Sequence, residues 1–181
     1  MKKTDEVCTH KKEQGQSLVE LSISLVILLI LAAGLVDLGR AFFTYITLRD
    51  AAQEGASYAA VSIAETSQMQ NSTQVSNYCS GITSRVLATT TDLSGNTPES
   101  NGPINLQALS DAGEVAVQTQ INGTDCTSMS PTNICMGGAV SVRVTYGSFP
   151  LTMPFIGAIL GTQSINLSAV VVDTILTPAC Q

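Results

Sequence analysis

Gln14-Gly15-Gln16-Ser17-Leu18-Val19-Glu20 runs straight into Leu21-Ser-Ile-Ser-Leu-Val-Ile-Leu-Leu-Ile-Leu-Ala-Ala-Gly-Leu-Val36, and Glu20 is the one charge between Ser17 and Val36. About twenty residues of helix rise roughly 30 Å, the thickness of a bilayer's hydrocarbon core. The stretch is long and apolar enough to span a membrane. Glu20 is the exception within it. An acidic side chain deep in a spanning helix costs about 2.5–3.5 kcal/mol, less near the interface, and such residues are functional candidates by default. The plain alternative is a marker of the cytoplasmic edge, with the carboxylate among headgroups.

Upstream lies a short polar leader that holds Lys2, Lys3, Lys11 and Lys12 and closes on Gly15, five residues before Glu20. Glycine lets a chain lie extended in a protease cleft with no Cβ in the way. Gly, four residues, Glu and then an apolar helix resembles the type III leader of type IV pilins and pseudopilins. That resemblance implies cleavage between Gly15 and Gln16 by a prepilin peptidase, and a role for Glu20 in docking one subunit on another. Every lysine lies in the leader, and only Arg40, Arg49, Arg85 and Arg143 carry positive charge after it. By the positive-inside tendency the N-terminus stays cytoplasmic and the C-terminal part is exported. Asp5, Glu6 and Glu13 dilute this signal.

The helical pattern does not stop at the end of the apolar run. Asp37 and Arg40 follow at i, i+3 and can pair on one helix face. No proline appears from there to Glu65, and Leu38, Phe42, Ile46, Arg49, Ala52, Ala56, Ala59 and Ile63 fall at steps of three or four. This spacing predicts one stripe of a single helix from about Ser17 to Glu65. Here the resemblance becomes specific. Gly15, Val19-Glu20, Asp37-Leu38-Gly39-Arg40-Ala41-Phe42 and Ala52-Gln-Glu-Gly-Ala-Ser-Tyr-Ala-Ala60 look like the TadE-like minor pilins of tight-adherence (Flp) pilus systems. Two departures stand out: Leu21 where members often carry an aromatic residue, and no proline in the apolar run. A kink at that point is therefore not expected.

Beyond Glu65 the chain changes character. Val75, Tyr78, Cys79, Ile82 and Val86 recur at helical spacing and predict a second, amphipathic helix over about 74–89. The segment 89–103, with Gly95, Pro98 and Gly102, reads as an exposed loop. The period then switches to two. Val115, Val117, Thr119 and Ile121 form one alternating run, Val140, Val142, Val144 and Tyr146 a second, and Ile165, Leu167, Ala169 and Val171 a third. Between the second and third lies Phe149-Pro-Leu-Thr-Met-Pro-Phe-Ile-Gly-Ala-Ile-Leu160, apolar but too short and proline-cut to span a membrane. It reads as a buried loop or short helix, with an exposed contact patch as the alternative. Asn71-Ser-Thr, Asn122-Gly-Thr and Asn166-Leu-Ser match a glycosylation pattern too common by chance to carry weight.

Cys8 sits in the leader, which leaves Cys79, Cys126, Cys135 and Cys180 in the exported part. An even number in an oxidising compartment favours two disulfides. Of three connectivities, the short loop between them favours Cys126–Cys135, and elimination then gives Cys79–Cys180. Zinc is the competing reading, but there is no CxxC pair and the one histidine, His10, is in the leader.

Several function classes are excluded by composition. The net charge of −6 argues against nucleic acid as a partner. After the leader there is no histidine or lysine for acid–base work, and no Gly-x-Ser-x-Gly, phosphate loop or metal-ligand run. Asp111 with Glu114, or Asp92 with Glu99, make poor carboxylate pairs in Ser/Asn/Gly-rich surroundings and read as solvated turn residues. No enzyme, cofactor or small-molecule substrate is expected. The expected architecture is α+β and pilin-like: leader 1–15, membrane helix 16–40, its amphipathic continuation 41–65, and an exported domain 66–181 built on a small antiparallel sheet. The resemblance implies a minor pilin or pseudopilin supporting pilus assembly and attachment from the cytoplasmic membrane. Its implied partners are the prepilin peptidase, other minor pilins, the major pilin and the inner-membrane assembly platform. Two rivals stay open: an uncleaved, membrane-anchored binding or sensor module, and a secreted protein cut near Ala33.

Overall fold

No proline interrupts the chain before Pro98, and α1 runs as one unbroken helix over Glu13–Ser62. The computed structural model describes residues 13–62, 71–90, 104–130, 137–153 and 161–176; the side chains of Glu13 and Gln14 are not among what it describes. The amphipathic segment 74–89 becomes α2, Ser72–Ala88, opened by Asn71, whose side chain accepts a hydrogen bond from the Gln74 N–H at 2.9 Å. That cap satisfies one of the amide donors a helix start leaves without a partner. A short helix without a clear periodic signal, α3 (Leu106–Asp111), is capped in the same way by Asn105.

The three alternating runs become β1 (Val115–Ile121), β3 (Ala139–Pro150) and β4 (Ser164–Thr174). A two-residue strand, β2 (Thr124–Asp125), adds a fourth that the alternation is too short to reveal. The sheet is antiparallel throughout, in the order β2-β1-β3-β4. Asn122 and Gly123, both at positive φ, form the two-residue turn between β1 and β2. Asn-Gly is the pair that such a turn favours, because both central residues must be left-handed.

One sheet face carries Val140, Val142 and Val144, all fully buried, while Ser141, Arg143 and Thr145 on the other face are exposed or partly exposed. The α+β arrangement follows: α1 and α2 cover the apolar face, and the polar face meets water. α1 contributes Leu48, Ala51, Ala52, Ala56 and Ala59, and α2 contributes Val75, Tyr78, Ile82 and Val86. Burial of a Val, Leu or Ile side chain contributes about 1.5–3 kcal/mol, so this layer supplies the main driving force for the domain. Inside it the Tyr78 hydroxyl donates to the Ala59 carbonyl at 2.7 Å, and burial pushes its pKa well up, which keeps the donor proton in place.

The small residues of α1 set how closely the two helices meet. A Cβ built on Gly55 falls 2.4 Å from Val86 Cγ2. Gly55→Val is therefore expected to force the α1–α2 crossing apart and to cost about 1–3 kcal/mol through overpacking. A thermal melt of the variant checks this; an unchanged midpoint would mean that the crossing is looser than this geometry requires.

The predicted stripe of α1 needs correction. Ala52, Ala56 and Ala59 are buried as expected, but Leu38, Phe42, Ile46 and Arg49 face outward, and Ile63 lies outside the described residues. Leu38 is five full turns of 3.6 residues from Ala56 and shares its side of α1, so the spacing is helical throughout. What differs is that this side is covered by the domain at the alanines and left open at Leu38. N-terminal to Leu48 the inward face consists instead of Asp37, Thr44 and the partly buried Ala41.

Candidate functional site

The first half of α1 projects away from the domain. From Leu18 to Leu31 its large apolar side chains are exposed, and the segment is long and apolar enough to cross a membrane. Gly15, Gln16 and Glu20 lie at its far end. Gly15 is inside the first turns of the helix, with nothing within 4 Å of a Cβ placed there. A glycine costs a helix about 1 kcal/mol relative to alanine, so this turn is among the easiest to unwind. Gln16 and Glu20 are one turn apart on the same side. Glu20 is exposed between Leu18, Val19, Leu21 and Ile23, and among the described residues it has no ion-pair partner.

The second feature lies at the other end of the apolar run. Asp37 and Arg40 form an i, i+3 ion pair at 3.5 Å, but the pair does more than bridge one helix face. Asp37 is only 3% exposed, and its Oδ2 accepts a hydrogen bond from the Met153 N–H at 2.8 Å. Arg40 donates to the Thr152 hydroxyl and lies over the Phe149 ring, 5.5 Å from its centre. Phe149 in turn meets Tyr146 edge-on at 6.0 Å. Two charges on α1 thus grip the end of β3 and the segment after it. A buried carboxylate is tolerated only when cations and N–H donors replace its water; here Arg40 and the Met153 amide do so. The sequence predicts the pair and not the grip. A charged pair at the end of an apolar run needs further partners, and that was the available signal.

The cysteine pairing differs from expectation. Cys79 is joined to Cys126, with 5.9 Å between their Cα atoms, so neither Cys126–Cys135 nor Cys79–Cys180 forms. The reason is tertiary. After the hairpin β1–β2 a 3-10 turn, Cys126–Ser128, tucks beneath α2, and both cysteines are buried there. Nearness along the chain suggested the wrong partner, whereas α2 packing on β1 brings residues 47 apart into contact. Cys135 and Cys180 lie outside the described residues. Closing a loop of this length removes about 4 kcal/mol of unfolded-state entropy in the simplest chain model. Unreduced peptide mapping should show Cys79 linked to Cys126, and Cys79→Ser should lower stability by about 2–4 kcal/mol. A Cys126–Cys135 peptide would refute this pairing.

Asp111 and Glu114 are both exposed, and Asp111 accepts from the Gln107 side chain at 3.0 Å. Asp92 and Glu99 lie outside the described residues. Among the described residues no three His, Cys, Asp or Glu side chains gather as metal ligands. An open cleft of about 520 Å³ between α2 and β1 is lined by Ser80, Thr83, Gln118, Asp125 and Thr127. Three of its hydroxyls are engaged locally, Ser80 with the Asn77 carbonyl, Thr83 with the Cys79 carbonyl and Thr127 with the Asp125 carboxylate, whereas the buried Thr119 hydroxyl has no hydrogen-bond partner among the described residues.

Compared with known proteins, residues 15–57 match the family model described as TadE-like protein. The matched segment begins at Gly15, takes in Glu20, Asp37, Arg40 and Gly55, and ends inside α1, before α2 and the sheet. The match covers 43 of the 181 residues. No curated protein and no solved structure matches the chain.

Proposed function

We propose that this TadE-like chain is a minor pilin or pseudopilin of a tight-adherence (Flp) pilus. In this reading a prepilin peptidase cuts between Gly15 and Gln16. The apolar half of α1 then anchors the protein in the cytoplasmic membrane as a single pass, N-terminus inside. The α+β domain lies outside, either at the base of the pilus or within it. Its partners are other minor pilins, the major pilin and the inner-membrane assembly platform. The chain is a substrate of one enzyme and catalyses nothing itself.

One observation carries the proposal. The TadE-like segment coincides with a helix whose large apolar side chains from Leu18 to Leu31 are exposed among the described residues, and it holds an exposed Glu20 five residues after Gly15. A helix of this kind needs lipid around it in one state, and neighbouring helices in another. The continuity of α1 through Ala33 and Gly34 also supports an anchor that is kept.

Intact mass and N-terminal sequencing of the native protein test the reading. A mature chain starting at Gln16 is the expected result. Retention of Lys2 and Lys3 would replace it with an uncleaved membrane-anchored module, and a start after Ala33 with a secreted protein.

A further inference from the structure

Bilayer dimensions do not fit a domain held clear of the membrane. If the span begins near Glu20, a hydrocarbon core of about 30 Å is crossed only near Arg40. The domain meets α1 before that point. A Cβ on Gly34 would lie 3.4 Å from the Met153 side chain, and Asp37 already accepts a hydrogen bond from the Met153 amide. The segment after β3 therefore touches the helix at a depth where lipid is still expected.

The outward side of α1 extends the same pattern. Leu38, Phe42, Phe43, Tyr45 and Ile46 are all exposed, Phe43 by 62%, on one broad side of the helix opposite Asp37, Ala41 and Thr44. This side turns polar only at Arg49, Asp50, Gln53 and Glu54. The exposed apolar run from Leu18 to Ile46 rises roughly 43 Å, which matches a bilayer with both headgroup layers, about 40–45 Å, and exceeds the hydrocarbon core alone. Aromatic rings gather near its outer end, where amphipathic rings prefer to sit at headgroup level. Arg40 lies there too, half exposed, its stem beside the apolar run and its guanidinium on Thr152 and over Phe149. A long basic side chain at this depth reaches for the interface.

We infer that the folded domain sits in the outer headgroup layer of the bilayer, with Leu38, Phe42, Phe43, Tyr45 and Ile46 against lipid. The occupant of this face is the membrane surface, because the face is continuous with the span, has the length of a bilayer and ends in an aromatic belt beside Arg40. The inference rests on the membrane-anchored reading above and fixes how deeply the domain sits.

The chain contains no tryptophan, so a single introduced one reports on its own site. Leu28→Trp, Phe43→Trp and Val61→Trp, each in the full chain, would be placed in phosphatidylcholine–phosphatidylglycerol vesicles whose acyl chains are brominated near the headgroup or near the methyl end. All three positions are exposed, so the substitutions leave the core intact. Phe43→Trp is expected to emit to the blue of free tryptophan and to lose roughly half its fluorescence to shallow bromines, as an interfacial ring should. Leu28→Trp should be quenched best by deep bromines and Val61→Trp by neither. Water-like, unquenched emission from Phe43→Trp, with Leu28→Trp quenched, overturns the inference and leaves the anchor standing. Blue-shifted but unquenched emission at Phe43 that grows with protein density assigns the face to a second copy and also overturns it. If Leu28→Trp is not quenched, the anchored reading itself fails.

Discussion

Glu20→Gln is expected to leave membrane insertion and leader removal intact and to abolish support of pilus formation. In the proposed reading, cleavage leaves a new amino terminus at Gln16, a cation at the edge of the bilayer. Glu20 is one turn further along the same side of α1 and has no ion-pair partner among the described residues. At an effective dielectric near 20, unit charges about 4 Å apart attract by roughly 4 kcal/mol, and much of that is offset by desolvation. Within one chain the pair would neutralise the end of a single helix. Across two chains it would fix the stagger of one helix against another, a contact that an exposed, unpartnered helix can make. Glutamine keeps the shape and removes the charge, and it makes the helix cheaper to insert, so a failure of insertion could not explain a defect. Membrane fractionation, N-terminal sequencing and a count of surface pili read the three steps separately. Wild-type piliation with Glu20→Gln would reduce Glu20 to a marker of the interface.

Gly15→Leu is expected to give the second large effect, a complete block of maturation. In the precursor Gly15 sits within α1, with open space around its Cα. A protease must first unwind that turn and lay it extended. Leucine opposes both steps: it favours the helix by about 0.8 kcal/mol over glycine, and it places a branched side chain where the cleft must approach the backbone. The expected product is a membrane-bound protein larger than wild type by the leader, with Lys2 and Lys3 retained. Maturation of Gly15→Leu at wild-type size would show that the leader assignment is wrong, whatever Glu20 does. The two variants are complementary, since one fails before assembly and the other during it.

Both experiments address positions that the local sequence makes visible, and the reason is physical. A membrane span is a matter of length and polarity, so Ser17 to Val36 declares itself without knowledge of its neighbours. Strands with one wet face alternate, so β1, β3 and β4 were readable from Val115, Val140 and Ile165 onward. β2 is only two residues long and offers no alternation, yet Asn122-Gly123 is a strong local hairpin signal that announces the turn before it. α3 lacks enough turns for periodicity to show.

The sequence alone determined the long helix, its apolar half, the isolated Glu20 and the antiparallel sheet, because each depends on residues near one another in the chain. Tertiary structure decided which side of α1 meets the domain, and so which apolar residues, Leu38, Phe42 and Phe43 among them, are left facing outward. It also decided that Asp37 holds the Met153 amide as well as Arg40, and that Cys126 joins Cys79 across 47 residues instead of Cys135 nearby. These are choices between partners that are locally equivalent. A helix can bury any of its sides and a cysteine can pair with any other, so only the packing of α1 and α2 on the sheet selects among them.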